Sequence, residues 1–321
     1  DAGPELCAER INRPNLQAAL SRSWPGKDDY EGLDGRLKAS GVTVIERGLS
    51  DYPRQLTEVD GPDFLFVKGD VAALNGPLVA VVGTRSVRPD GVGLTSQVTG
   101  WCFERGWAVV SGGAFGVDIT AHVASLRRHI PTVVVLPAGL EHPVPREHLK
   151  LFSQVVEEGG CLVSEYLPWT RPFRGGFIKR NRIISGLSQC VVVVRAPLYS
   201  GALSTARWGM QQGRAVFTVP GDPNDATAGG CLQLLSEGAY PLYSASCLPL
   251  TRRFAPGCAV REEADMDWRL PTAQAGEMKK ILTLLKSHPL DAASLADSLD
   301  RSVSSVTAQL MMLILAGEVM F

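Results

Sequence analysis

The sequence is short of the residues and spacings that mark the commoner chemistries. Seven cysteines are present, yet no two stand at Cys-x-x-Cys spacing, which leaves out a zinc ribbon and a thioredoxin-type pair. Cys102, Cys161 and Cys190 lie inside apolar runs, as buried, reduced thiols of a cytosolic protein do. Five histidines (122, 129, 142, 148 and 288) show no metal-ligand spacing, so no metal is expected. The three between 122 and 142 read as surface or interhelix residues. No apolar run approaches the ~20 residues that cross a bilayer, and no secretory pattern is present. A soluble, cytoplasmic protein with no membrane partner is expected. The net charge of −1 rules out a globally basic nucleic-acid coat, so any such contact must be a local patch.

Nucleotide signatures are missing as well. There is no Gly-x-x-x-x-Gly-Lys-Ser/Thr, which excludes a P-loop NTPase. Gly91-Val-Gly93 is followed by Ser96 where a dinucleotide fingerprint needs its third glycine, and no acid is placed for a ribose. No cofactor is expected. No nucleophile stands beside a base. Glu165 follows a strand end and reads as a brace for neighbouring arginines rather than a general acid, and Asp118 reads as a helix-start carboxylate.

What is present is a rhythm. At 321 residues and 45% hydrophobic content, about two or three domains with a sizeable core are expected. Short, β-branched runs stand at 78–83, 107–113, 132–139, 160–165, 190–196 and 215–221, four of them ending in glycine. They are apolar on both faces, as covered parallel strands must be. Helical patterns near 91–105, 116–129, 146–158, 179–189, 202–212 and 229–238 separate them. This alternation specifies an α/β, doubly wound, mostly parallel sheet. Phe64–Gly69 adds an edge strand.

Around this domain (41–245), residues 1–40 read as a small N-terminal helical segment and 246–275 as a linker. Residues 276–321 read as three short helices and a wing strand at 317–321: a C-terminal winged-helix domain. Asp291 and Ser302 are its predicted N-caps. The third helix brings no cation between 302 and 317, so this module is expected to meet protein rather than duplex DNA.

Ligands of an open parallel sheet bind outside the carboxyl ends of its strands. Those ends carry Gly83-Thr-Arg-Ser86, then Ser111-Gly-Gly-Ala-Phe-Gly-Val-Asp118, whose glycines let phosphate approach the backbone. Ser200, Gly201, Ser204 and Thr205 open a helix with hydroxyls that can donate to an anion. Arg171–Ser188 places five cations and no acid between 171 and 182, with Phe173 and Phe177 among them. Read as a cationic, aromatic loop, it suits a polyanion whose bases stack.

These segments resemble the DNA-processing protein A (DprA/Smf) family. Val-Gly-Thr-Arg85, the Gly-rich loop, Lys179-Arg-Asn-Arg-Ile-Ile-Ser-Gly-Leu-Ser188, Ser200-Gly-Ala-Leu-Ser-Thr-Ala206 and Gly213–Gly221 carry the likeness, over about 41–245. The resemblance implies an extended Rossmann-like domain that dimerises, binds single-stranded DNA and loads the recombinase RecA in natural transformation, without catalysis. It implies a phosphate contact at Arg85 and a phosphate loop at Ser111, Gly112, Gly113 and Gly116. It puts the strand and its bases at Arg174, Phe177, Lys179 and Arg180, with Asn181 and Arg182 in the same block. The chain departs from the family pattern at Thr84 for Ser, at Ile178 for Pro and at Pro143–His148. Arg195 stands where an acid is common, and is expected to add a cation to the groove. Phosphoribohydrolases on this fold are the alternative. Their Pro-Gly-Gly-x-Gly-Thr-x-x-Glu signature is broken here, where Pro220-Gly221 continues as Asp-Pro-Asn-Asp.

Overall fold

The computed structural model describes residues 35, 37, 39–250, 280–285, 290–303, 305, 306, 309, 310 and 313. A nine-stranded sheet organises 43–241, in the order β1-β2-β6-β5-β4-β3-β7-β8-β9. The strands are β1 (Thr43–Glu46), β2 (Phe64–Gly69), β3 (Leu78–Val82), β4 (Ala108–Ser111), β5 (Val133–Val135), β6 (Cys161–Ser164), β7 (Cys190–Val193), β8 (Ala215–Thr218) and β9 (Tyr240–Pro241). β3 to β9 run parallel; β1 and β2 are antiparallel, and β2 joins the sheet by pairing Phe66 with Ser164 of β6.

Phe64–Gly69 is therefore not the edge strand. β1 lies outside it, and only Ile45 of that strand is buried. So short a strand with one inward residue leaves almost no alternation to read. The expected parallel strands all form, each trimmed by a few residues at its ends.

Six helices of the domain are α1 (Pro89–Glu104), α2 (Val117–Arg127), α3 (Leu149–Glu157), α4 (Arg174–Leu187), α5 (Gly201–Gln211) and α6 (Gly229–Ser236). Helices cover the sheet, so β3, β4, β5, β6 and β7 are buried at every position. Cys102, Cys161 and Cys190 are free and buried, as expected. His122 and His148 are buried too, which corrects the surface reading of His122. Its Nδ1 contacts the Thr132 hydroxyl, itself bonded to Val109 O in the sheet. A histidine with a hydroxyl partner can sit in a core.

Two further expectations change. The cationic stretch is no loop: α4 starts at Arg174, five residues before the predicted helix. Its Gly175-Gly176 start hides the helix from propensity. Glycine is needed there because a Cβ on Gly176 would lie 2.4 Å from Pro137 O. The start of the expected linker is anchored, with Leu248 buried. Arg105 Nε donates to Leu248 O and Trp107 Nε1 to Pro249 O, each at 3.0 Å.

Of the tail, α7 (Ala292–Ser298) has its predicted cap, the Ser294 N–H donating to Asp291 Oδ1 at 2.8 Å. Ser302 likewise accepts from Ser305 N at 3.3 Å. Ile281, Leu295, Ala296, Val306, Leu310 and Leu313 form a second small core. The wing at 317–321, residues 1–34 and most of the linker lie outside the described residues.

Candidate nucleic-acid interface

The strand order turns at β3: β4, β5 and β6 lie to one side of it, and β7, β8 and β9 to the other. Such a switch point opens a crevice between the loops after the two central strands. The crevice is present, a cleft of about 400 Å³. Gly83, Thr84, Arg85 and Ser86 line it from β3, Pro197, Ser200, Gly201, Ala202 and Thr205 from the β7–α5 side, and Phe177, Ile178, Arg180, Asn181 and Ile184 from α4. Positions 177, 181 and 184 share one helix face by their spacing.

Backbone bonds fix the rim. Thr84 N donates to Arg195 O at 2.7 Å, and Val117 N to Thr84 O at 3.2 Å. The turns after β3 and β7 and the start of α2 are thus laced together. Gly116 permits this approach: its φ is +82°, and a Cβ would fall 2.1 Å from Thr84 O. Ser200 caps α5, accepting from Ala202 N at 3.3 Å.

Arg85 is exposed, and among the described residues no carboxylate pairs with it. Its guanidinium carbon lies 5.5 Å from the centre of the half-buried Phe177 ring, within cation–π range. Beyond that pair lies a second, more apolar hollow of about 180 Å³, with Phe115, Pro137, Val144 and Pro145 in its wall. Arg85, Phe177 and Arg180 border both cavities.

Arg180 is only 4% exposed. Its Nη1 donates to Gly112 O at 2.7 Å and to Val135 O. Asp118 accepts from the amides of Gly112 at 3.2 Å and Ala114 at 3.4 Å. Burial pushes the Asp118 carboxyl up from its ordinary value, against the pull of Arg180, the two amides and Arg85. Burial brings Arg180 down to about 10, opposed by Asp118 and aided by Arg85. A Cβ on Gly112 would sit 2.4 Å from Arg180 Nη1, so the loop rests directly on the guanidinium.

The predicted residues thus divide. Arg85, Phe177, Asn181, Ser200, Gly201 and Thr205 meet at the cleft, with Arg180 in its wall. Arg174 is exposed at the start of α4. Lys179 lies on another flank: it is 56% exposed, 3.1 Å from Glu165 and 5.8 Å from the Tyr166 ring centre. Arg182 is buried, pairing with Glu165 at 2.7 Å and donating to Asp60 O. Glu165 is the brace that was expected.

Ser111 is buried, its hydroxyl donating to Val81 O at 2.7 Å, and does not line the cleft. Gly113 O is taken by His148 Nδ1 at 2.9 Å. Ser204 stands beside the cleft lining rather than in it. The Arg195 side chain turns to Gly221 and Thr227 and adds no cation to the groove. Phe115 and Pro137 were missed. Only the Phe within a Gly-rich loop hinted at an aromatic wall.

A mostly parallel sheet with a cationic switch-point cleft places the chain in the class of Rossmann-like α/β domains. The family described as DNA recombination-mediator protein A matches residues 43–249, and the chain belongs to it. It is 39% identical to the DNA processing protein DprA of Bacillus subtilis over 242 residues, which is 74% of this chain and 81% of that protein. It is 40% identical to Protein Smf of Escherichia coli over 224 residues, 70% of this chain but 60% of that protein's length. Among solved structures it resembles DprA of Streptococcus pneumoniae (TM-score 0.62, 30% identity, 75% of this chain and 88% of that one). A Helicobacter pylori DprA structure, described for its single-stranded DNA binding mode, matches with TM-score 0.57 and 30% identity over 64% of this chain and 92% of that one. No described helix is long and apolar enough to cross a membrane.

Proposed function

We propose that the chain is a non-catalytic single-stranded DNA-binding protein, active as a homodimer, that protects exposed or incoming strands and loads a RecA recombinase onto them. The observation that carries this reading is the Arg85–Phe177 pair at the switch-point cleft: a cation with no carboxylate partner among the described residues, over an aromatic face. The cation answers a phosphate, and the ring accepts a base of any identity. The α5 N-terminus beside them adds the positive end of its helix dipole for the same anion. Membership of a recombination-mediator family, and a relative described as binding single strands, support the same substrate.

A phosphoribohydrolase would need a carboxylate free to act at the cleft. Asp118, which lines it, is engaged by two amides and Arg180, and that weighs toward binding.

The test is an oligo-dT titration across a salt series. Affinity should fall linearly in log–log form with a slope of about −0.7 per phosphate contact. Arg85→Ala should weaken binding and flatten the slope by about one contact, and Phe177→Ala should weaken it about 5- to 100-fold at unchanged slope. Absence of binding, or release of free base from nucleoside monophosphates, overturns the proposal.

A further inference from the structure

The loop between β7 and α5 carries a residue that the cleft does not explain. Tyr199 is 100% exposed. Tyrosines usually bury the ring and leave only the hydroxyl wet. Leu198 beside it leans on α6, where a Cβ on Gly229 would meet Leu198 Cγ at 3.2 Å. Tyr199 has no such support. It immediately precedes Ser200, the α5 cap in the cleft wall, one backbone step of about 3.8 Å away. Pro197, two residues earlier, also lines the cleft. Across the cleft, α4 presents Ile178, 61% exposed. Both walls therefore end in exposed apolar side chains above a floor of amides and hydroxyls.

We propose that Tyr199 is a stacking platform for a base of single-stranded DNA, the neighbour of the nucleotide held in the cleft. The strand then leaves the cleft across the start of α5 rather than across α1. This rests on the single-strand reading above. The chemistry fits that occupant: a polar floor for sugar and phosphate, and an aromatic face that stacks any base without reading it. A single exposed tyrosine is common on surfaces. What separates this one is its continuity with a cleft that holds the exposed Arg85 over the Phe177 ring and a helix N-terminus.

Because Tyr199 touches no packed neighbour, Tyr199→Ala should fold as the unmodified chain does. The experiment titrates labelled oligo-dT, and an abasic deoxyribose-phosphate oligomer of equal length, into the full chain and into Tyr199→Ala and Tyr199→Phe. Tyr199→Ala is expected to weaken oligo-dT binding about 5- to 100-fold with its salt slope unchanged, since a base stack and no charge is lost. Tyr199→Phe should stay within about twofold, because the ring remains. The abasic oligomer should bind the full chain and Tyr199→Ala alike. Equal oligo-dT affinity for the full chain and Tyr199→Ala overturns the platform and leaves the single-strand reading standing. Failure of the unmodified chain to bind oligo-dT overturns both. A change of oligomeric state in Tyr199→Ala by light scattering, with binding per protomer unaltered, assigns the ring to a contact between copies and also overturns the platform.

Discussion

Exchanging Arg180 for methionine keeps most of the side chain's length and apolar stem but deletes the guanidinium beneath the Gly-rich loop. Two carbonyls, Gly112 O and Val135 O, then lose their donor. Asp118 loses the cation that opposes its burial. Leaving buried acceptors without their donor costs about 1–3 kcal/mol each, a large share of the ~5–15 kcal/mol by which domains are stable. With a urea m-value near ~3 kcal/mol/M, the unfolding midpoint should fall by about 1–1.5 M. Adding Asp118→Asn to that variant should recover part of the loss, because the stranded carboxylate is gone, whereas Asp118→Asn alone should destabilise by removing the negative charge that favours the buried arginine. The coupling energy from the four proteins should lie within about 0.5–3 kcal/mol. Additive effects, to within about 0.5 kcal/mol, would refute the electrostatic coupling. The salt dependence of oligo-dT binding separates a brace from a phosphate contact: below the unfolding transition a brace leaves the slope intact, while a direct contact would reduce it by about 0.7.

Gly116→Ala forces a side chain into a φ of +82° and against Thr84 O, so it should destabilise by at least about 1–3 kcal/mol and weaken oligo-dT binding by shifting the Arg85 turn, read by denaturation and titration together. Glu165→Gln leaves the buried Arg182 without its carboxylate at 2.7 Å and frees Lys179; the midpoint should drop while oligo-dT binding tightens and its salt slope steepens by about 0.7, and unchanged binding would show that Lys179 lies off the strand's path. Acid should destabilise the domain through His122, whose pKa burial lowers to about 3. The unfolded chain, with a histidine near ~6.5, binds more protons between about pH 6.5 and 3, so stability is lost as pH falls through that window, by about 5 kcal/mol in all. His148, also lowered, acts in the same direction, and the raised Asp118 opposes it at the acid end of that window. His122→Asn should flatten the pH dependence of the denaturation midpoint measured between pH 7 and 4.5.

How far the sequence foretold this arrangement depends on whether a side chain's partner is near in sequence. The parallel strands were legible because a strand covered on both faces must be apolar at successive positions, as Leu78–Val82 and Cys190–Val193 are. The place of Arg85 at the cleft was legible because it stands three residues past a strand end. The caps at Asp291 and Ser302 were legible because a cap binds residues only three positions away. The cationic segment was misjudged for the opposite reason. Its charge density reads as a solvated loop, yet a helix sends residues 177, 181 and 184 to the cleft, Lys179 and Arg182 to Glu165, and Arg180 under the glycines. Which flank each cation takes is set by partners on other elements: Glu165, 17 residues from Arg182, and the Gly112 and Val135 carbonyls, 68 and 45 residues from Arg180. No local pattern encodes those distances. The same logic explains Ser111: a hydroxyl at a strand end looks available to phosphate until the neighbouring strand offers Val81 O. Charge in a sequence marks where anions are drawn, but only the carboxylates brought in by the fold decide which cations stay free to meet them, and at this cleft Arg85 has no carboxylate partner among the described residues.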